Sequence, residues 1–336
     1  MNAPLAHEGP GKWRKADIAQ MHGQMAVYIF SYNRAQLLDH SLESTARCMP
    51  GFDSFVVDDD SEDPATRQVL RKWEDCTPVL EAAEGFGEKK TGGLYPNMTN
   101  ALHHARSKGY KYALFTQDDM QFVRPFDSRD AALIEDYFAA HLKVIQLLVH
   151  FIKRPEPDVD LADLWKPDAR GTSYLRTEMD SNAKSCFCAG GIFHVSRTIE
   201  AIGSFETSEA KNSARLKTKG YYYGVSHAPL ISFMPAPISF RGKHRSVEHR
   251  LYEILGGAGF HPVEQMNDVE VERFWNRARS VFPVAEDFLH CPTAPAPENW
   301  AAGGGDYLVV ARGGWRKTLY EAIAFTKAIM KRALGR

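Results

Sequence analysis

A hydrophobic run, Tyr112-Ala113-Leu114-Phe115-Thr116-Gln117, ends in the pair Asp118-Asp119. A second run, Phe55-Val56-Val57, ends in Asp58-Asp59-Asp60. Carboxylates at the carboxyl end of a buried strand sit where open α/β sheets bind their ligands. Adjacent acids are poor core residues and good partners for a hard divalent cation with phosphate oxygens attached. Two such ends in one chain suggest a crevice for a nucleotide and a metal ion. The turn Ser31-Tyr32-Asn33-Arg34 follows a third apolar run and adds polar groups and a guanidinium suited to phosphate. The bland alternative for Asp58 to Asp60 is a solvated turn capping the next helix, and the second acidic end weighs against it.

These side chains need strands that all stop at one edge. Met25 to Ser31 reads as a buried strand, too short for a helix. Helical spacing follows from Gln36 to Cys48, and a second strand covers Phe55 to Asp58. Asp63-Pro64, an acidic cap with proline at the first helical position, starts a helix running through Leu70 and Trp73. A weaker strand, Pro78 to Ala82, leads to Gly85, Gly87, Gly92 and Gly93, then to a helix from near Pro96 to Gly109. Tyr110 to Thr116 is the next strand. Short β-α-β crossovers of this kind demand parallel pairing, so the fold class is α/β, Rossmann-like, with a mainly parallel central sheet and helices on both faces.

Beyond the acidic pair the pattern loosens. A helix is expected near Ala131 to His141, an apolar run covers Val144 to Ile152, and Lys153 to Arg170 reads as a surface loop. Cys186 to Val195 is strand-like, Ser196 to Gly203 and Ser208 to Lys219 are helical, and strand-like pieces return at Tyr221 to Val225 and Ile238 to Arg241. From Ser246 onward the signals fade into a Pro/Ala/Gly-rich stretch, Pro292 to Gly305, and a closing helix, Thr318 to Leu334.

Hydrophobic and charged fractions of 44% and 25% over 336 residues place the chain among ordinary soluble globular proteins. A net charge of −1 excludes a general nucleic-acid binder. The five cysteines form no C-x-x-C pair, which excludes a zinc ribbon and a disulfide framework and predicts a reduced, cytoplasmic setting. Cys186-x-Cys188 with His194 has zinc donors at an unusual spacing, and Gly85-x-Gly87 with Lys89 and Lys90 is a loop that could meet phosphates, too weak for a dinucleotide fingerprint. His103-His104 is given no role. The first 24 residues lack the apolar core of a signal peptide and read as a flexible segment. No run reaches the roughly 18 to 20 apolar residues that span a bilayer. From Arg312 to Arg336, seven Lys/Arg against one Glu give +6, with Trp315, Leu319, Ile323, Ile329 and Leu334 on an amphipathic pattern. Such a basic helix is a candidate for peripheral contact with the inner membrane face. The competing reading docks it on the domain with its charges in water.

Several stretches together carry a resemblance. V-Y-I-F-S-Y-N-R-A-Q-L-L resembles the first strand and turn of inverting glycosyltransferases of the GT-A fold, the large family 2 group. F-V-V-D-D-D-S-E-D resembles that family's V-D-D-G-S element, with Asp60 where Gly is usual, and N-A-L-H-H-A-R-S-K-G-Y-K-Y-A-L-F-T-Q-D-D-M resembles its helix, strand and D-x-D segment. A-G-G-I-F-H-V-S-R-T-I-E-A-I-G-S-F-E-T is similar to its acceptor-side stretch, and R-L-K-T-K-G-Y to the helix after its catalytic E-D pair. The resemblance spans Met25 to Arg245. It implies a flexible segment 1–24, a GT-A domain 25–245 with a nucleotide-binding half 25–120 and an acceptor half 121–245, and a helical or irregular C-terminal extension 246–336.

The resemblance also implies roles. Ser31, Tyr32, Asn33, Arg34, Asp58, Asp59, Asn100 and Asp118 would bind a nucleotide-diphospho-sugar. Asp119 and His244 would hold Mn²⁺ or Mg²⁺, with Arg241, Lys243 and Arg245 favouring the diphosphate. Glu209 would be the general base, since the E-D pair falls at Ser208-Glu209; Glu206 and Asp180 are substitutes because a glutamate reaches farther than the usual aspartate. Gln117 replaces the first acid of D-x-D. The implied activity is metal-dependent inverting transfer of a sugar to a hydroxyl of a glycan or lipid-linked acceptor, in surface polysaccharide or glycoconjugate synthesis, with no nucleic acid partner. Alternatives are a sugar-nucleotide nucleotidyltransferase, which would want a glycine-rich basic loop after the first strand, and a non-catalytic nucleotide-binding relative.

Overall fold

The structure is a computed structural model. It describes residues 16–82, 93–153, 160–176, 187–238 and 258–293, and seven helical positions between 315 and 329. The first half alternates strand and helix: β1 (Met25–Ser31), α2 (Ala35–Cys48), β2 (Asp53–Asp58), α3 (Pro64–Trp73), β3 (Val79–Leu80), α4 (Leu94–Ser107) and β4 (Tyr112–Gln117). Asp63 caps α3 as expected, its Oδ2 accepting from the Thr66 N–H at 2.8 Å with Pro64 at the first helical position. A short helix α1 (Ile18–His22), capped by Asp17, precedes β1 where only irregular chain was expected.

The second half adds β5 (Met120–Phe122), α5 (Ser128–Ala140), β6 (Val144–Leu148), α6 (Leu161–Leu164), β7 (Trp165–Pro167), β8 (Ser173–Arg176), β9 (Gly191–His194), α7 (Val195–Ile202), α8 (Glu209–Thr218), β10 (Tyr222–Ser226) and β11 (Ile231–Phe233). Two more helices follow, α9 (Asp268–Trp275) and α10 (Ala285–Phe288). The expected loop from Lys153 to Arg170 thus carries α6 and β7, because Trp165 is buried against the sheet. The strand-like piece Ile238 to Arg241 lies outside the described residues except for Ile238.

Nine strands form one sheet in the order β3-β2-β1-β4-β9-β6-β10-β8-β7. β9 runs antiparallel to both β4 and β6, and β8 to both β10 and β7, so these two oppose the other seven. The α/β class is therefore met, with a mixed sheet whose strands mostly share one direction. Period-2 alternation divides each central strand between two cores. Met25, Val27 and Ile29 of β1 pack with Leu38 and Leu42 of α2 and Phe138 of α5. Ala26, Tyr28 and Phe30 pack with Met98 and Leu102 of α4, Ile202 of α7 and Leu216 of α8. Helices cover both faces.

Residues 258–293 belong to the first of these cores through Val263, Met266, Phe274, Trp275 and Leu289. Gln121 pairs with the backbone of Val263 in both directions, at 2.7 and 2.9 Å. Buried Arg124 donates to both oxygens of Asp130, to the Ala228 and Pro229 carbonyls, and lies over the Trp275 ring at 5.1 Å. One guanidinium thus ties β5, α5, the approach to β11 and α9. Among the described residues no helix is long and apolar enough to cross a membrane.

Removing one partner of a buried pair leaves the other's charge uncompensated, at about 3–5 kcal/mol. Arg124→Met is expected to lower the unfolding free energy by that amount in urea titration, and a loss under about 1 kcal/mol would contradict the role given to this pair.

Candidate functional site at the carboxyl edge of the sheet

The register sets Ser31 beside Asp58, and Phe30 beside Gln117. The ends of β1, β2 and β4 therefore open on one edge, with β1 in the middle and about 5 Å between neighbouring strands. Two turns there are laced together. Asn33 adopts a left-handed conformation, φ 50°, and its Oδ1 accepts from the Glu62 and Asp63 N–H groups at 2.8 and 2.9 Å. Its own N–H donates to Ser61 Oγ at 2.9 Å. Ser61 in turn donates its N–H and Oγ–H to the two oxygens of Asp58, each at 2.7 Å. Asp60 is left-handed too, φ 57°, which explains why glycine suits this place in the motif.

Asp59 is the missing cap of α4. Gly93 at the N-cap has no side chain, and Asp59 accepts from the Gly93 N–H at 2.7 Å and from Asn97 Nδ2 at 3.1 Å. A Cβ on Gly93 would overlap the Asp59 carboxylate. Asn97, buried, is the asparagine of this helix that reaches the edge; Asn100, expected there, is exposed a turn farther along. A helix packed by one face cannot present both positions to the strand ends.

The acidic pair is held by a cation from the neighbouring strand's turn. Asp118 is fully buried; its N–H donates to the Phe30 carbonyl at 3.0 Å, and its Oδ2 accepts from the Tyr32 N–H at 3.3 Å. Arg34 straddles it, Nε on Oδ2 at 3.1 Å and Nη2 against Oδ1, and reaches Asp119 Oδ2 and the Ile238 carbonyl through Nη1 at 3.0 and 3.1 Å. Burial pushes the Asp118 carboxyl up to about 7, with Arg34 pulling down and Asp119 pushing up. Burial alone would lower the Arg34 guanidinium, but the two carboxylates raise it.

Three buried oxygens at this edge have no hydrogen-bond partner among the described residues: Ser31 Oγ, Asp119 Oδ1 and Asp118 Oδ1, the last of them ion-paired with Arg34 Nη2. Buried polar atoms without a partner call for an explanation, and a bound water or ion is one. Asp119 Oδ1 fits one ligand position of Mg²⁺ or Mn²⁺, ions that use one or two carboxylates and take the rest from phosphates and water. No group of three His, Cys, Asp or Glu side chains forms a cage among the described residues. His244, expected as a second ligand, lies outside them, as do Asp180, Lys89, Lys90, Arg241, Lys243 and Arg245.

Because β9 is antiparallel, its start meets the same edge, next to the end of β6. Glu209, the first residue of α8, sends Oε1 across to the Ala189 N–H at 2.9 Å. Gln146 fixes that approach by donating to the Cys188 and Gly190 carbonyls at 2.7 and 2.6 Å. Gly191 has φ 111°, and a Cβ there would lie 2.7 Å from the Leu147 carbonyl, so the second glycine of the A-G-G run is needed by the sheet. Glu206 instead pairs with Arg215 at 3.7 Å on the helix surface.

Lys153 was missed in the sequence because it opens an apparent surface loop. It follows the end of β6, and its ammonium lies 4.1 Å from the Phe233 ring centroid. Burial lowers its pKa, while Asp119, Cys188, Glu286 and Glu209 pull it back up. One lysine thus feels both Asp119 and Glu209. Cys188 is pushed up to about 12 by burial, with Glu209 adding to the rise, so this thiol stays protonated. The signal that could have found Lys153 is its place just after a strand parallel to β4.

No family model matches the sequence, and no curated protein matches it. Similar solved structures include S. aureus TarS, at TM-score 0.44 and 15% identity over 69% of this chain and 38% of that one. TarS 1-349 in complex with UDP gives TM-score 0.42 and 16% identity over 69% and 63%. The mannosyltransferase PcManGT from Pyrobaculum calidifontis, in complex with GDP-Man and Mn2+, gives 0.40 and 16% over 73% and 64%. The chain therefore spans between 38% and 64% of the length of these structures.

Asp59→Ala is expected to lower the unfolding free energy of the ligand-free protein by about 1 kcal/mol, as loss of a helix cap does. A residue serving only a nucleotide would leave the urea midpoint unchanged.

Proposed function

We propose that this chain is a metal-dependent glycosyltransferase that transfers a sugar from a nucleoside-diphospho-sugar to a hydroxyl acceptor with inversion. The observation that supports it most is the meeting, at one sheet edge, of Asp118-Asp119 on Arg34 with Glu209 held on Ala189, with Lys153 electrostatically coupled to Asp119 and Glu209. The first set suits a diphosphate and cation, the second a hydroxyl that must lose a proton. The quoted motif resemblances point the same way.

In this reading the nucleoside lies over the turns after β1 and β2, beside Ser31, Tyr32, Asn33, Asp58 and Asp59. Arg34 offers its guanidinium to the diphosphate, and Asp118 orients it. Asp119 would hold Mg²⁺ or Mn²⁺, with His244 as a further ligand. Such an ion, when bound, neutralises charge growing on the departing diphosphate. Glu209 takes the proton of the acceptor hydroxyl as it attacks the anomeric carbon from the face opposite the leaving group. The carbon gains oxocarbenium character on the way, as in glycoside hydrolysis. Lys153 supplies positive charge between the donor-side and acceptor-side carboxylates. The acceptor is a glycan or a lipid-linked intermediate of surface glycan synthesis. No disulfide joins the four described cysteines, which suits a cytoplasmic site of action. A nucleotidyltransferase is disfavoured because the turn after β1 is pinned by Asn33 and offers no glycine-rich loop.

Incubation with UDP-, GDP-, CDP- and dTDP-sugars and Mn²⁺ should release a nucleoside diphosphate; no release from any of them, with pyrophosphate formed instead when a nucleoside triphosphate and a sugar 1-phosphate are supplied, would refute the reading. Glu209→Gln should lower kcat by about 10²–10⁴ while leaving nucleotide affinity near wild type, and an unchanged kcat would move the base elsewhere.

The C-terminal helix offers a membrane contact to the same reading. Trp315, Leu319, Phe325 and Ile329 are helical and exposed. With +6 over Arg312 to Arg336, an anionic bilayer surface is the matching partner. The full chain should co-sediment with phosphatidylglycerol vesicles and not with phosphatidylcholine vesicles, and Phe325→Asp with Ile329→Asp should abolish it; sedimentation indifferent to lipid charge would exclude this contact.

A further inference from the structure

Arg34 carries a consequence beyond donor binding. Its three nitrogens hold both oxygens of a fully buried carboxylate, one oxygen of a second carboxylate, and a backbone carbonyl from the segment after β11. A surface arginine waiting for phosphate would point to solvent, whereas this guanidinium is committed to the very acids expected to attract a cation. We propose that Arg34 is the site's resident counter-cation. It neutralises Asp118 and Asp119 while no donor is bound, and it yields Asp119 to a divalent ion only when a diphosphate arrives to share the guanidinium. The inference rests on the glycosyltransferase reading and deepens it by making binding of metal and nucleotide mutually dependent.

Charge counting supports it. Two carboxylates with one guanidinium leave this cluster at −1, and a lone divalent ion on Asp119 Oδ1 would make it +1, with two cations crowded on the two oxygens of one carboxylate. Withdrawing Arg34 to relieve that crowding would leave Asp118, which has no solvent access, without a compensating charge. A nucleoside diphosphate removes the conflict, since its oxygens can engage both cations at once. The buried orphan Ser31 Oγ, on the central strand of the same edge, is a separate sign that a polar ligand completes the arrangement. Linkage then requires reciprocity: the nucleotide tightens the metal by the same factor as the metal tightens the nucleotide.

The test measures free Mn²⁺ by its paramagnetic resonance signal as it is titrated into the full chain, with and without UDP, GDP, CDP or dTDP. Wild type should bind Mn²⁺ about tenfold or more tightly when the matching nucleotide is present. Arg34→Gln should bind Mn²⁺ without nucleotide at least about fivefold more tightly than wild type, and should lose most of the nucleotide effect. Adding Asp119→Asn should erase that gain. Should Arg34→Gln fail to fold, Arg34→Gln/Asp118→Asn, which removes the buried charge with its partner, is read the same way. If wild type binds Mn²⁺ and nucleotide but Arg34→Gln binds lone Mn²⁺ no better, the counter-cation role is overturned and the proposed function stands. If wild type binds no nucleotide under any condition, both fall.

Discussion

The ion cluster of Arg34 with Asp118 and Asp119 is the constraint from which the rest of the edge follows. A carboxylate with no solvent exposure requires a compensating charge, and here that charge comes from the turn of the adjacent strand. For Arg34 to face Asp118, the chain must reverse sharply after β1, which the left-handed Asn33 accomplishes. That conformation is held because Asn33 also closes the turn after β2. The fragments V-Y-I-F-S-Y-N-R and V-V-D-D-D-S thus belong to one hydrogen-bonded unit, and the acids of the whole edge divide into two jobs. Asp58 and Asp59 organise backbone, while Asp118 and Asp119 present charge.

The other half of the edge is built by reversing one strand. β9 inserts antiparallel between β4 and β6, bringing the Ala189-Gly190-Gly191 segment beside the ends of strands that run the other way. Glu209 then needs only the Ala189 N–H to be anchored there, and the continuation of β6 delivers Lys153. Residues 258–293 hold β5 through the Gln121–Val263 pairing and the Arg124–Trp275 contact, and the continuation of β6 through the bonds of Ile152 with Pro283 and Ala285. Asp119 itself is tied to the end of β11, since its carbonyl accepts from the Met234 N–H at 2.8 Å.

Much of the first half was legible because its signals are local. β1 is a continuous apolar run, Asp63-Pro64 marks a helix start chemically, and Gly109 ends α4 with φ 84°. The acidic strand ends were legible for the same reason, as polar residues where a buried run stops. Strand direction is not local, and nothing in Gly191–His194 announces that it opposes its neighbours. β7 and β8 are too short to show a period, and Trp165 in a charged, proline-bearing stretch reads as loop until a partner strand covers it. Asn97 and Asn100 differ only in which way they face, which depends on packing of the whole helix. Lys153 was hidden because only long-range assembly brings it against Phe233 and into the field of Asp119 and Glu209. That Arg34 would pair with the acids, with no phosphate needed, could not be read from its position in S-Y-N-R.

The central claim is that Asp119 and a donor's diphosphate share one cation at this edge. The direct measurement is a crystal of the full chain grown with Mn²⁺ and the nucleoside diphosphate that stabilises it best, with diffraction recorded at the manganese absorption edge. The account predicts one anomalous peak about 2.0–2.3 Å from an Asp119 carboxylate oxygen, bridging to the phosphates. Density for the nucleotide at the ends of β1 and β2 with no peak near Asp119, or with manganese bound elsewhere, would contradict it.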